Sequence, residues 1–103
     1  MSDKFLQFLG LSKRSGRLIE GYNNCEEYIK RSKVYLLIIS PDASQNTKDK
    51  FKGYSAKYSI PFIEDYSEEE LGISIGRAAI NILCITDKNM ADKLLELYDS
   101  MKK

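Results

Sequence analysis

The residues best suited to chemistry lie in Gly16-Arg17-Leu18-Ile19-Glu20-Gly21-Tyr22-Asn23-Asn24-Cys25, where a short apolar strand, a glycine turn and a helix start fall within ten positions. Gly21 can take backbone angles closed to other residues, and Asn23 or Asn24 can cap a helix whose first N–H groups lack intrahelical partners. Spare donors of this kind attract phosphate. The same turn also occurs in proteins with no ligand on it, so a purely structural role stands beside the binding one. Lys13, Arg14 and Arg17 crowd the region. They suit a phosphate, or equally a solvated helix end whose cations complement the macrodipole.

Other chemistry is poorly served. Glu26/Glu27 and Glu68/Glu69/Glu70 are neighbouring carboxylates of a kind that can split their pKa values when buried together. Both groups, however, fall near the starts of amphipathic helices on expected solvent faces, where the helix dipole favours them. Cys25 at a helix start would gain some thiolate character, but the chain has no histidine to act as its base. The same lack removes the commonest transition-metal ligand. No catalytic, metal or cofactor site is expected. Gly72-x-x-x-Gly76 has glycine spacing reminiscent of a phosphate loop, yet it follows a helix and precedes a strand and lacks the Lys-Ser/Thr ending. Its glycines suit close backbone approach, and Ile73 and Ile75 are either core residues or a small apolar platform.

Alternating elements must position these groups. Asp3 can cap a first helix carrying Phe5, Phe8 and Leu9, with Leu6 widening its apolar face, that ends by Gly16. Leu18-Ile19 is a short strand. After the Gly21 turn, Cys25, Tyr28, Ile29 and Ser32 fall at the spacing of a helix burying one face. Val34 to Ile39 is nearly continuous apolar sequence, as expected of a central strand covered on both sides. Pro41 to Ser44 turns the chain into a third helix with Thr47, Phe51, Tyr54 and Tyr58 inward. Ile60-Pro61-Phe62-Ile63 is a short strand whose proline argues for an edge or strand-start position. Ser67 to Glu70 is a capping box opening an acidic helix that stops near Gly72. Ala79 to Ile85 is a last, central strand, and Asp87 caps a final helix with Met90, Leu94, Leu95, Leu97, Tyr98 and Met101 inward or nearly so. The fold expected is α/β, a three-layer αβα sandwich of about five helices around an about four-stranded mixed sheet.

At 103 residues, 43% of them hydrophobic, the chain suits one core, read as a single domain over 1–103. No apolar run approaches the ~20 residues of a membrane span, and Met1-Ser2-Asp3-Lys4 lacks the start of a secretory signal, so a cytoplasmic protein is expected. Cys25 and Cys84, without Cys-x-x-Cys spacing, read as reduced thiols packed like small apolar groups. The net charge of +1 hides an asymmetry: residues 1–60 carry 11 Lys/Arg against 6 Asp/Glu, and residues 61–103 carry 5 against 9. A basic first half can meet phosphate, although such asymmetry also serves solubility.

Leu9-Gly10-Leu11 with Arg14-Ser15-Gly16-Arg17, then Asp42-Ala43-Ser44-x-Asn46-Thr47, then Leu71-Gly72-x-Ser74-Ile75-Gly76-Arg77 occur in order, with the expected element between each pair. Over nearly the whole chain this pattern resembles the kink-turn RNA-binding ribosomal-protein family, that of large-subunit proteins L-seven-Ae and L-thirty-e. It is most similar to the small bacterial YlxQ-type members. The resemblance implies a non-enzymatic αβα domain that grips sharply bent RNA, with ribosomal or kink-turn-like RNA and ribonucleoprotein proteins as partners, no membrane, no cofactor, and a monomeric state. It implies that the turn into the second helix enters the RNA groove through Gly21, Asn23 and Asn24, with Arg14 and Arg17 near phosphates. It further implies that the loop before the last strand, Ile73, Ser74, Ile75, Gly76 and Arg77, packs on an extruded base. Such binding needs cations for phosphate, amides for base edges and an apolar contact for an unstacked base. Two positions depart from the family pattern, which has glutamate where this chain has Asn24 and lysine where it has Glu27. An anion in place of a phosphate-facing cation adds repulsion. A protein–protein interaction module that kept the fold and lost standard kink-turn binding is therefore the alternative.

Overall fold

A computed structural model describes residues 3–101. Met1 and Ser2, which entered the reading of the N-terminus, lie outside the described residues, as do Lys102 and Lys103. The elements run α1 (Lys4–Arg14), β1 (Leu18–Glu20), α2 (Tyr22–Arg31), β2 (Leu36–Ile39), α3 (Gln45–Tyr58), β3 (Phe62–Ile63), α4 (Glu68–Ser74), β4 (Ile82–Ile85) and α5 (Lys88–Met101).

The strands form one sheet in the order β1-β4-β2-β3, with β4 antiparallel to both β1 and β2, and β3 parallel to β2. The two strands rich in consecutive apolar residues, β2 and β4, take the centre and are buried throughout. Both their faces are covered, which is why they do not alternate with polar residues. Pro61 precedes the edge strand β3, where its missing N–H costs no ladder bond and its carbonyl still accepts from Leu37 N–H at 3.0 Å.

Strand periodicity splits the core into two. Leu36, Ile38, Leu83 and Ile85 point toward α1, α4 and α5, joining Phe5, Leu9, Leu71, Ala91 and Leu94. Leu37, Ile39, Ile82 and Cys84 point the other way, joining Cys25 and Ile29 of α2 and Phe51 of α3. Each fully buried Leu or Ile stabilises by about 1.5–3 kcal/mol, and a one-residue slip of β2 would exchange its two buried sets. The three-layer αβα sandwich follows. No helix among the described residues is long and apolar enough to cross a membrane.

Asp3 caps α1, accepting from the N–H groups of Phe5 (2.7 Å) and Leu6 (3.2 Å), and also accepts from the Tyr66 hydroxyl (2.9 Å). Tyr66 stacks on Phe5 at 4.8 Å between ring centroids. Burial pushes the Tyr66 pKa up, and the hydrogen bond to Asp3 adds to the shift. Because one carboxylate serves a helix end and a buried phenol, Asp3→Ala is expected to lower stability by about 1–3 kcal/mol. The urea midpoint should fall at constant m value; an unchanged midpoint would show that packing alone holds α1.

Four expectations are corrected. Neither Asn23 nor Asn24 caps α2: Gly21 is the N-cap, and no side chain caps the helix. The Gly21 N–H donates to the Ile82 carbonyl (2.9 Å) while its own carbonyl accepts from Cys25 N–H (3.0 Å), so the sheet edge sets where the helix begins. The fourth helix runs through Gly72 to Ser74. The last strand begins at Ile82 because upstream amides are committed elsewhere, Arg77 N–H to the Gly72 carbonyl (2.8 Å) and Ile80 N–H to that of Glu68 (3.0 Å). Ser32 and Met101 are exposed: Ser32 is the C-cap of α2, and Met101 lies at the end of α5.

Candidate nucleic-acid interface

The start of α2 offers free donors. Gly21 sits at φ +91°, a left-handed value that favours glycine, and turns β1 directly into the helix. The first helical N–H groups, from Tyr22, Asn23 and Asn24, have no intrahelical acceptor and no side-chain cap. Asn23 is exposed on this first turn, and Asn24 uses its amide to donate to the Glu20 carbonyl at 3.2 Å.

The segment Arg77 to Asn81, between α4 and β4, lies beside this turn. On one side of Ala79 and Ile80 is an open groove of about 620 Å³ lined also by Glu20, Asn24, Glu27, Tyr28, Arg31 and Arg77. On the other side is a smaller one of about 340 Å³, lined also by Gly21, Tyr22, Thr47, Glu68 and Asn81. The buried side-chain oxygen Oδ1 of Asn81 has no hydrogen-bond partner among the described residues. A short apolar segment thus stands between two hollows, next to uncapped amides.

Glu20 organises the charges. Its side chain, 14% exposed, pairs with the Lys13 ammonium and accepts from Arg77 Nε at 2.6 Å. It ties the end of α1 and the loop before β4 to the end of β1. The larger groove therefore holds two carboxylates, Glu20 and Glu27, against Arg31 and Arg77.

The expected site residues separate. Gly21, Asn23, Asn24, Glu27 and Arg77 gather around the α2 turn and its grooves. Arg14, Ile73 and Ser74 line a different groove of about 740 Å³ between α1 and α4, sharing no lining residue with the first. Ile73 is 74% exposed there, whereas Ile75 is 7% exposed in the core. The expectation of Ile73 and Ile75 acting together on one base is corrected: they face opposite ways, because α4 continues past Gly72 and rotates successive side chains around its axis. Gly76 supplies the exposed turn after α4, at φ +83°. Arg17 is exposed but lines none of these grooves; its carbonyl accepts from Thr86 N–H at 3.0 Å.

Glu20, Tyr28, Arg31, Ala79 and Ile80 line the groove beside the turn but are not marked as site residues by the sequence. Arg31 was within its reach, since Asn24, Tyr28 and Arg31 follow three- and four-residue helical spacing. The loop residues were hidden by extending the last strand to Ala79.

Near the site, Glu26, Tyr54 and Cys84 are shifted by their neighbours. Glu26 accepts from the Tyr54 hydroxyl at 2.6 Å and pairs with Lys50 at 3.1 Å, which together hold its carboxyl below the usual range. Burial, then Glu26, pushes Tyr54 up to about 12. Cys25 and Cys84 are free and buried. The Cys25 contact and burial push the Cys84 thiol up, and Cys25 donates toward the Ile19 carbonyl at 3.4 Å.

Comparison with known proteins is consistent across the chain. The profile of the ribosomal protein L7Ae/L30e/S12e/Gadd45 family matches residues 3–96. A protein described as RNA-binding protein YlxQ from Enterococcus faecium is 34% identical over 96 residues, covering 93% of this chain and 92% of its own. One of the same description from Bacillus subtilis (strain 168) is 30% identical over 96 residues, covering 93% and 96%. A solved protein of unknown function from Bacillus halodurans C superposes with a TM-score of 0.90 at 30% identity, over 95% of this chain and 99% of its own. The Giardia lamblia 15.5kD RNA binding protein shares the fold, with a TM-score of 0.78 at 15% identity, over 99% and 91%.

Proposed function

This chain belongs to the ribosomal protein L7Ae/L30e/S12e/Gadd45 family, and we propose that it is a small, non-enzymatic, cytoplasmic protein that binds structured RNA of kink-turn type, in the ribosome or another ribonucleoprotein. In this reading residues 1–103 act as a single domain and as a monomer. The observation that carries it is the uncapped start of α2 set against the apolar loop before β4. Uncapped amides and the Asn23 side chain meet phosphate or base edges, Ala79 and Ile80 present an apolar surface to an unstacked base, and Arg31 and Arg77 lie where phosphates would approach. The names of the two bacterial relatives support RNA as the ligand.

Binding of a kink-turn hairpin measured from 50 to 200 mM salt tests this. With about three phosphates neutralised, affinity should fall roughly 40-fold over that range. Asn23→Ala should weaken binding at every salt concentration, and Arg17→Glu should weaken it most at low salt. Failure to bind any structured RNA at 50 mM salt, with a protein co-purifying instead, would favour the interaction-module reading. The carboxylates of Glu20 and Glu27 in the larger groove are the observation on that side.

A further inference from the structure

The start of α2 is also the head of a second feature, the seam where α2 lies against α3 on the outer face of the molecule. Rings follow one another along it: Tyr22 meets Phe51 edge-on at 5.1 Å, Phe51 meets Tyr54 at 5.4 Å, and Tyr54 meets Tyr58 at 6.3 Å. Tyr22, 36% exposed, adjoins Gly21 at the turn itself. Lysines flank the row. Lys30 reaches over Tyr54 at 6.0 Å, Lys57 over Tyr58 at 5.3 Å, and Lys50 is steered by Glu26 at 3.1 Å, with all three lysines exposed.

The α2–α3 layer is the more basic one. Residues 22–33 and 45–58, which cover α2 and α3, carry seven Lys/Arg against three Asp/Glu, while α1, α4 and α5 together carry five against six. A solvated helix face would account for lysines alone. It does not account for Lys30 and Lys57 standing over rings of the seam, with Lys50 held by Glu26 beside them. Large apolar side chains are not exposed along α3, so the surface does not suit an apolar protein partner, whereas its positive potential complements a polyanion.

We infer that the α2–α3 seam is a second RNA-contact surface, independent of base sequence, that tracks the strand leaving the α2 turn. The ten residues of α2 give that strand about 15 Å to follow. Lys50, Lys30 and Lys57 meet its phosphates in turn, and Tyr22 offers a ring to the first base beyond the turn, the combination used for single strands elsewhere. The inference rests on the proposed function for where the strand starts and shares Tyr22 with it, but its lysines and the single-stranded segment they meet are separate.

The test compares three RNAs: a minimal kink-turn hairpin, the same hairpin with a ten-nucleotide single-stranded tail on either end, and the tail alone. Wild-type protein and the triple variant Lys30→Gln/Lys50→Gln/Lys57→Gln are titrated with each, with circular dichroism confirming the fold. Wild type should bind the tailed hairpin more tightly than the minimal one. The triple variant should lose roughly tenfold on that RNA and less than about twofold on the minimal hairpin, with the salt slope reduced by about two, near 0.7 for each single-strand contact. Equal binding of tailed and minimal hairpins by wild type overturns the inference, as does an equal loss on both in the variant. If the tail alone is bound in a lysine-dependent way while the minimal hairpin is not, the seam stands and the reading of the grooves fails. If wild type binds none of the three, both fail.

Discussion

Gly72→Ala is expected to destabilise the protein by about 1–3 kcal/mol, as forced overpacking does, with Tm falling by roughly 4–8 °C for each kcal/mol in a domain near 100 residues. A Cβ at this position would lie 2.6 Å from Ala79 Cα, 2.7 Å from Ala79 N and 2.9 Å from the Ala78 carbonyl carbon. These are backbone atoms, not the far end of a flexible side chain, so either α4 or the loop must move. The loop is tied to α4 by the Arg77 and Ile80 amides, and to β1 by Glu20. Displacing it should loosen those links and move Ala79 and Ile80 away from the start of α2. The variant should therefore lose RNA affinity even at temperatures where it remains folded. Thermal unfolding followed by circular dichroism, with RNA titration well below the transition, separates the two effects. Wild-type Tm and affinity together would show that α4 and the loop are not rigidly packed.

Glu27→Lys is expected to act in the opposite direction on binding. Glu27 lines the larger groove with Asn24, Arg31 and Arg77. Reversal changes the groove by two charges and replaces phosphate repulsion with an available cation. A hydrogen bond involving a charged group is worth about 1.5–3 kcal/mol, and the lower end applies at this exposed position. Kink-turn affinity should rise roughly tenfold at low salt, with a salt slope steeper by about one. Folding stability should change by only a few tenths of a kcal/mol, since the loss is one i,i+4 pairing opportunity with Arg31 on the helix surface. Unchanged or weaker binding would place Glu27 away from the RNA.

Much of the fold was legible from short-range pattern. Asp3, Ser44, Ser67 and Asp87 all accept hydrogen bonds at helix starts, as their positions indicate, and the Ser67/Glu70 capping box is complete. The buried runs of β2 and β4 and the edge position of β3 likewise follow from composition and one proline. The candidate site was legible at the Gly21 turn, but the segment that packs beside that turn, Arg77–Asn81, was not. Reading the last strand from Ala79 left Ala79 and Ile80 inside a sheet and gave the role of the loop to residues 73–77.

The sequence by itself determined which segments become helices and strands, which faces are apolar, and that a glycine turn stands at the head of α2. Those properties depend on neighbours within a few positions, through periodicity, capping and turn chemistry. Only the tertiary structure decided that Gly21 and not an asparagine caps α2, because the deciding bond comes from Ile82 across the sheet. It alone sent Ile75 into the core and Ile73 outward, set the segment Arg77–Asn81 beside the α2 turn, and put Glu20 between Lys13 and Arg77. Each of these is set by a contact between residues distant in the chain, where the backbone donors and buried volume available at one place depend on what another element has already taken.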